Sequence, residues 1–85
     1  MRITCSKTAR GNAYRFYRND DRFFEDLKPL IPLLRACEGD LHVGDPNGEN
    51  AIMVLELGAA DALHEVEFLR LARPHLSEGC PQATC

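Results

Sequence analysis

The chain has 85 residues, which leaves room for one hydrophobic core, since two cores would each be too small for burial to offset chain entropy. Hydrophobic residues make up 45% and charged residues 27%, a balance that excludes intrinsic disorder. No apolar run approaches the roughly 18 residues of a membrane span, and residues 1–4 lack the apolar centre of a signal peptide, so we expect a cytoplasmic protein.

The N-terminal part of the chain predicts a β-hairpin. Polar and apolar residues alternate over residues 2–6 and again over residues 13–18, as they do in half-buried strands. Gly11 and Asn12 lie between these segments and tolerate positive φ. We therefore expect the hairpin turn to include Gly11 and Asn12.

Residues 19–40 predict a broken helix. The side chains at positions 19–21 are good helix N-caps. Pro29 and Pro32 each remove a backbone hydrogen bond, so we expect two short helical pieces that meet near Lys28. The apolar residues that recur at helical spacing and predict the buried stripe are Phe23, Leu27, Leu30, Ile31, Leu34 and Cys37.

Two further strands and a helix follow. Residues 41–43 predict a third strand, and the nearly unbroken apolar run over residues 51–57 predicts a central fourth strand, with turn dipeptides between the two. Residues 59–76 predict a helix that Pro74 ends early. The stripe expected to pack on the sheet consists of Ala62, Val66, Leu69, Ala72 and Leu76, widened by Phe68 and Leu71.

The element order is therefore β-β-α-β-β-α. It predicts an α+β fold with a four-stranded, mostly antiparallel sheet and two helices packed on one face. We expect a single domain over residues 1–77 and a loose C-terminal tail over residues 78–85. The other face of the sheet is then open to water or to a partner.

The cysteines are expected to be reduced thiols, because no export signal precedes them. Cys5 and Cys37 fall on apolar faces and are interpreted as core residues. Cys80 and Cys85 could form a disulfide with each other or bind zinc together with His75, but a single Cys-x₄-Cys pair is a weak zinc signal. We therefore predict no metal and no cofactor.

The sequence favours a protein that is not an enzyme. The three histidines, His42, His64 and His75, are interpreted as surface residues. Neither a nucleophile elbow nor a glycine-rich phosphate loop is present.

The charge distribution suggests a binding role. Five basic and no acidic side chains precede Asp20, so the rest of the chain has a net charge of −8 within a total of −3. The basic N-terminal segment either forms a contact surface or only neutralises the negative charge of an adjoining acidic helix. Arginines and rings interleave over residues 14–18, which keeps nucleic-acid binding as an alternative, although the isoelectric point of about 5.5 opposes it.

Protein binding requires the fewest assumptions. Arginine and tyrosine are enriched at interfaces, and opposite charges accelerate encounter. We predict an adaptor or an inhibitor of a larger protein machine. The inhibitor interpretation rests on an analogy of size with very short acidic proteins of mobile genetic elements that act against a host. Its partner is another protein or a second copy, and a small-ligand-binding or zinc-binding protein is the second alternative. The predicted contact residues are Arg15, Tyr17 and Arg18 on the basic hairpin and Asp45, Asn47 and Glu49 at the second turn.

Overall fold

The computed structural model describes residues 1–44 and 50–81, and its first two strands form the predicted hairpin. Strand β1 (Arg2–Lys7) pairs antiparallel with β2 (Gly11–Tyr17). The turn is held by Thr8, whose N–H donates to the Gly11 carbonyl at 2.9 Å and whose hydroxyl accepts from the Gly11 N–H at 3.0 Å. The turn therefore consists of residues 8–10.

Gly11 and Asn12 lie in β2, so the prediction that they form the turn is wrong. Gly11 does not have a positive φ. Its importance is steric, because a Cβ at this position would overlap the carbonyl oxygen of Leu57 on the neighbouring strand. Glycine is needed here for the close approach of two backbones, which the sequence alone does not distinguish from a turn.

The first helical segment is broken as predicted. Helix α1 (Phe23–Leu27) leads into a 3₁₀ turn at Lys28–Leu30 and then into α2 (Ile31–Ala36). Each proline lies near the start of the piece that follows the break, where its missing N–H costs least. The buried residues of this segment belong to the predicted stripe or to Leu33 beside it.

The sheet confirms the predicted α+β fold. Strand β3 (Leu41–Val43) pairs antiparallel with β4 (Met53–Gly58), and β4 pairs antiparallel with β2, giving the order β1-β2-β4-β3. β4 is central, and Val54 and Leu55 are buried on its opposite faces, which explains its apolar run. The predicted second turn, at residues 45–49, lies outside the described residues.

Helix α3 (Ala62–Ala72) is flanked by 3₁₀ turns at Ala59–Asp61 and Arg73–His75. Its predicted stripe is partly wrong, because Ala62 and Val66 are exposed. The residues that it buries are Phe68, Leu69 and Ala72. The helix is rotated because the half-buried Glu65 occupies an inward position and accepts a hydrogen bond from the Tyr14 hydroxyl.

Phe68 is at the centre of the core, between the sheet and α3. Its ring centroid lies 4.8 Å from that of Tyr14 and 5.8 Å from that of Phe16, and all three side chains are fully buried. Residues of α1, α2 and α3 pack with them in one cluster on the same face of the sheet. None of the helices in the described residues is long and apolar enough to cross a membrane.

The chain after α3 returns along the outer edge of β1. Leu76 forms a parallel bridge with Ile3, and a disulfide joins Cys5 to Cys80 with their Cα atoms 5.3 Å apart. The expectation that Cys5 and Cys80 are reduced thiols is therefore wrong, because their spacing in the sequence does not reveal that they lie close together in the fold. The expectation of a buried free thiol at Cys37 is confirmed. The single domain over residues 1–77 and the loose tail over residues 78–85 stay predictions, and residues 82–85 lie outside the described part.

Candidate functional site

The sheet face opposite the helices, which we call the outer face, is the candidate site. Alternate residues of each strand point to this face, and the cross-strand register places the outward residues of neighbouring strands side by side. In the described residues, the buried cluster on this face contains no helical residue. The strand residues of the outer face are Arg2, Thr4, Ser6, Ala13, Arg15, Tyr17, His42, Val54 and Glu56.

Small apolar side chains form the centre of the outer face. Ala13, Ala51 and Val54 are buried together, and the half-buried Tyr17 packs against them. Because two of the three are alanines, this cluster is shallow and does not form a second deep core. The Tyr17 side chain is thus held by this packing while part of it remains accessible to solvent.

Arg15 lies two residues before Tyr17 on β2, on the same face. Its cross-strand neighbours are Thr4 on β1 and Val54 on β4. Its Nη1 donates a hydrogen bond to the Ser6 hydroxyl at 2.9 Å, which directs the guanidinium towards β1. Arg15 is half-buried at this position.

Arg18 belongs to a different surface. Its guanidinium carbon lies 5.4 Å from the ring centroid of Phe24, a cation–π contact with a residue of α1. Phe24 is 60% exposed and meets Phe23 edge-on. The structure therefore brings together two of the predicted contact residues, Arg15 and Tyr17, and places Arg18 beside the helical layer.

The remaining predicted contact residues, Asp45, Asn47 and Glu49, lie outside the described residues.

The outer face carries more positive than negative charge in its described strands. Arg2 lies directly opposite Tyr17, and Arg15 is the next basic residue on this face. Glu56, opposite Ala13, is the carboxylate that the register places there. Two of the five basic residues that precede Asp20, Arg2 and Arg15, thus lie on the side away from the helices, whereas Arg18 lies beside the helical layer.

Sequence analysis missed an ion cluster around Asp26. The carboxylate accepts a hydrogen bond from the ammonium group of Met1 at 3.0 Å, and Nδ1 of His75 lies 4.0 Å away. The ammonium hydrogen bond is the main reason why the pKa of Asp26 is lowered, and the nearby charges of His75 and Arg22 act in the same direction. His75, expected at the surface, is half-buried here, while His42 and His64 are exposed as expected.

Sequence analysis also missed an apolar groove between the helical layer and β3. Its volume is about 500 Å³, within the range of small-ligand sites. It has no convergent set of polar groups, since only two of its lining residues are charged. The lining residues are Leu27, Ile31, Leu34, Arg35, Glu38, Leu41 and Met53.

The zinc alternative loses one of its ligands. Cys80 is bonded to Cys5 and so cannot supply the thiolate that a zinc site with His75 would need. Over residues 1–44 and 50–81, no group of three or more His, Cys, Asp or Glu side chains is placed to hold a metal ion.

Comparison with family models, curated proteins and solved structures finds no match to this chain. The function must therefore be argued from the outer face itself.

Proposed function

We propose that the chain is a non-enzymatic protein-binding module, an adaptor or an inhibitor of a larger protein, that contacts its partner through the outer face. The observation that carries this proposal is the adjacency of Arg15 and Tyr17 on a sheet face to which the described helices contribute no buried residue. Arginine and tyrosine are the residue types that most often dominate interface energetics.

Both side chains are preorganised. The hydrogen bond to Ser6 restrains the Arg15 guanidinium, and the packing against Ala13 and Val54 restrains the Tyr17 ring. Side chains that are already ordered lose less conformational entropy on binding, so more of the contact energy appears as affinity. β2 adds rigidity because it lies between β1 and β4.

The charge of the outer face indicates a partner with an acidic surface. Arg2 and Arg15 would approach carboxylates there, which accelerates encounter and fixes orientation. The exposed carboxylates of α1 and α3 lie on the other side of the sheet. This arrangement keeps the basic contact surface away from much of the chain's own negative charge.

Charge reversal tests the proposal. The partner is first identified by affinity capture with cross-linking and mass spectrometry from the native host, and its dissociation constant is measured. We expect Arg15→Glu and Arg2→Glu each to weaken binding by about tenfold or more, as loss of an interface anchor does. Arg18→Glu makes the same charge change beside Phe24, away from the outer face, and is the matched control.

The result is interpretable only for folded variants, so each is checked by circular dichroism and thermal unfolding. Equal affinity of wild type, Arg15→Glu and Arg2→Glu would reject the outer face. Weakening by Arg18→Glu alone would place the contact beside the helical layer instead.

Nucleic-acid binding is the second candidate. Arg2 and Tyr17 are direct cross-strand neighbours, and a cation beside a ring is an arrangement that single-stranded nucleic acids use. Fluorescence anisotropy with a labelled single-stranded oligonucleotide tests it. Binding at low salt that weakens steeply as salt rises, and that Arg2→Glu abolishes, would replace the protein-binding proposal.

A cytoplasmic location stays a prediction, and the Cys5–Cys80 disulfide opposes it, since cytosolic thiols are kept reduced. Alkylation of free thiols in intact cells, followed by reduction and a second label, decides the question. If Cys5 and Cys80 carry the first label, they are free thiols in the cell, which supports a cytoplasmic location. If they carry the second label, the disulfide is present in the cell, which opposes it.

A further inference from the structure

The outer edge of β1 is covered by residues 76–81, which we call the C-terminal strap. Two links hold it there: the parallel bridge between Leu76 and Ile3, in which the Ser77 N–H donates to the Ile3 carbonyl at 2.9 Å, and the Cys5–Cys80 disulfide. The strap therefore occupies the position of a fifth strand at the edge of the sheet.

The noncovalent links of the strap are few. Apart from the single bridge at Leu76 it contains no helix or strand, and its residues are half-buried or exposed. Leu76 packs against the core, but the next residues contribute one backbone hydrogen bond to β1. Ordering a segment of this kind costs backbone entropy at every residue, so the covalent link decides whether it stays in place.

We propose that the Cys5–Cys80 disulfide is a redox-sensitive clasp, whose reduction releases the C-terminal strap and uncovers the edge of β1. The backbone groups of Ile3 point to this edge, because its carbonyl accepts from Ser77, and those of Cys5 point the same way two residues later. Release of the strap therefore leaves these backbone groups without their protein partners.

The reductant is a dithiol. Its thiolate attacks one sulfur of the disulfide, the Cys5–Cys80 bond breaks, and a mixed disulfide forms while the other cysteine leaves as a thiolate. The second thiol of the reductant then displaces the first cysteine. The protein gains two electrons and two protons as two thiols, and the dithiol is oxidised to its own disulfide.

Ser77 gives this exchange a direction. Its hydroxyl oxygen lies 3.5 Å from the Cys80 sulfur, so it can donate a hydrogen bond to Cys80 as negative charge develops there. A stabilised thiolate is the better leaving group, which favours attack at Cys5 and departure of Cys80. Ser77 is thus a positioning residue, and departure of Cys80 frees the strap directly.

Hydrogen exchange measured by mass spectrometry, with and without dithiothreitol, tests the clasp. On reduction we expect the hydrogen-bonded amides of Leu76, Ser77 and Cys80 and those of the outer edge of β1 to exchange about tenfold or more faster, while those of β4 and α3 keep their protection. The Cys5→Ser/Cys80→Ser double variant should show the fast pattern whether or not dithiothreitol is present.

Two results would overturn the proposal. Unchanged exchange at the strap after complete reduction, verified by intact mass and thiol titration, would show that the noncovalent links suffice. Loss of protection throughout β4 and α3 would show that the disulfide holds the whole fold together. Ser77→Ala should slow reduction at equal stability of the oxidised protein, and an unchanged rate would remove Ser77 from the mechanism.

Discussion

The hydroxyl of Tyr14 donates a hydrogen bond to Oε2 of Glu65 at 2.7 Å and so joins the middle of β2 to the inner side of α3. The side-chain amide of Asn12 donates to the same oxygen at 3.1 Å. Because Tyr14 is fully buried, its hydroxyl has no access to water as a substitute partner. The rotation of α3 on the sheet is therefore set by a polar contact as well as by its apolar residues.

Removing the acceptor should cost more than removing the donor. We expect Glu65→Ala to lower the free energy of unfolding by about 1–3 kcal/mol, because a buried hydroxyl is left unsatisfied. Tyr14→Phe removes the hydroxyl as well as the bond and should cost about 0.5–1.5 kcal/mol. Urea denaturation measures both.

The matched control is Glu67→Ala on the exposed side of α3. Glu67 pairs with Arg70 one turn later, at 3.3 Å, and exposed pairs of this kind contribute little. If Glu67→Ala destabilised the protein as much as Glu65→Ala, helix propensity rather than the Tyr14 contact would explain the loss.

The same contact predicts an alkaline loss of stability. Burial, reinforced by the Glu65 hydrogen bond and charge, raises the pKa of Tyr14 well above its usual value of 10.0. Above pH 10 the unfolded chain releases this proton while the folded chain retains it, so stability falls as pH rises. Tyr14→Phe should flatten the decline of the unfolding free energy between pH 9 and 11, and Tyr17→Phe should preserve it.

Local patterns in the sequence predicted most of the fold. Strand alternation identified the first hairpin, and the two prolines located the break near Lys28, because both signals act within a few residues. The errors arose where distant segments meet. Nothing near Gly11 indicates that the Leu57 carbonyl oxygen lies where a Cβ would be, and nothing near Cys5 indicates that Cys80 lies beside it.

The candidate site was predicted in part for the same reason. The two-residue period of a strand places Arg15 and Tyr17 on one face, and the register agrees. Arg18 lies just beyond the end of β2, where strand alternation no longer applies, and a long-range contact with Phe24 decides its position.

Gly11→Ala should separate β2 from β4. The new methyl group would overlap the Leu57 carbonyl oxygen, and a backbone atom cannot move aside without breaking the strand pairing. Overpacking of this kind costs about 1–3 kcal/mol, so thermal unfolding should shift clearly downwards.

Gly39→Ala is the control, since a Cβ there meets nothing within 4 Å. We expect it to change stability by at most about 0.5 kcal/mol, as is usual for substitutions away from special features. Equal destabilisation by the two variants would contradict the steric argument.

Asp26→Asn should weaken the acid dependence of stability. The lowered pKa of Asp26 arises mainly from the hydrogen bond with the Met1 ammonium, opposed by partial burial. Its stabilisation is present above the unfolded pKa of about 3.9 and is lost as pH falls through the lower folded value. Thermal unfolding between pH 2 and 5 measures this, with the exposed Asp21→Asn as control for the change in net charge; identical acid profiles for both variants would exclude Asp26.

Cys37 should react with alkylating reagents only when the chain opens. It is buried between α2 and the sheet, and burial is the main cause of its raised pKa, with Asp61 and Asp40 adding to it. In the native protein the reagent therefore cannot easily reach Cys37, and little of the thiol is in the thiolate form that alkylation requires. In oxidised Cys85→Ser protein, where Cys37 is the remaining free thiol, labelling by iodoacetamide should be slow in buffer and accelerate with urea in parallel with unfolding. A rate in buffer equal to that of the unfolded chain would show that this part of the core is open to solvent.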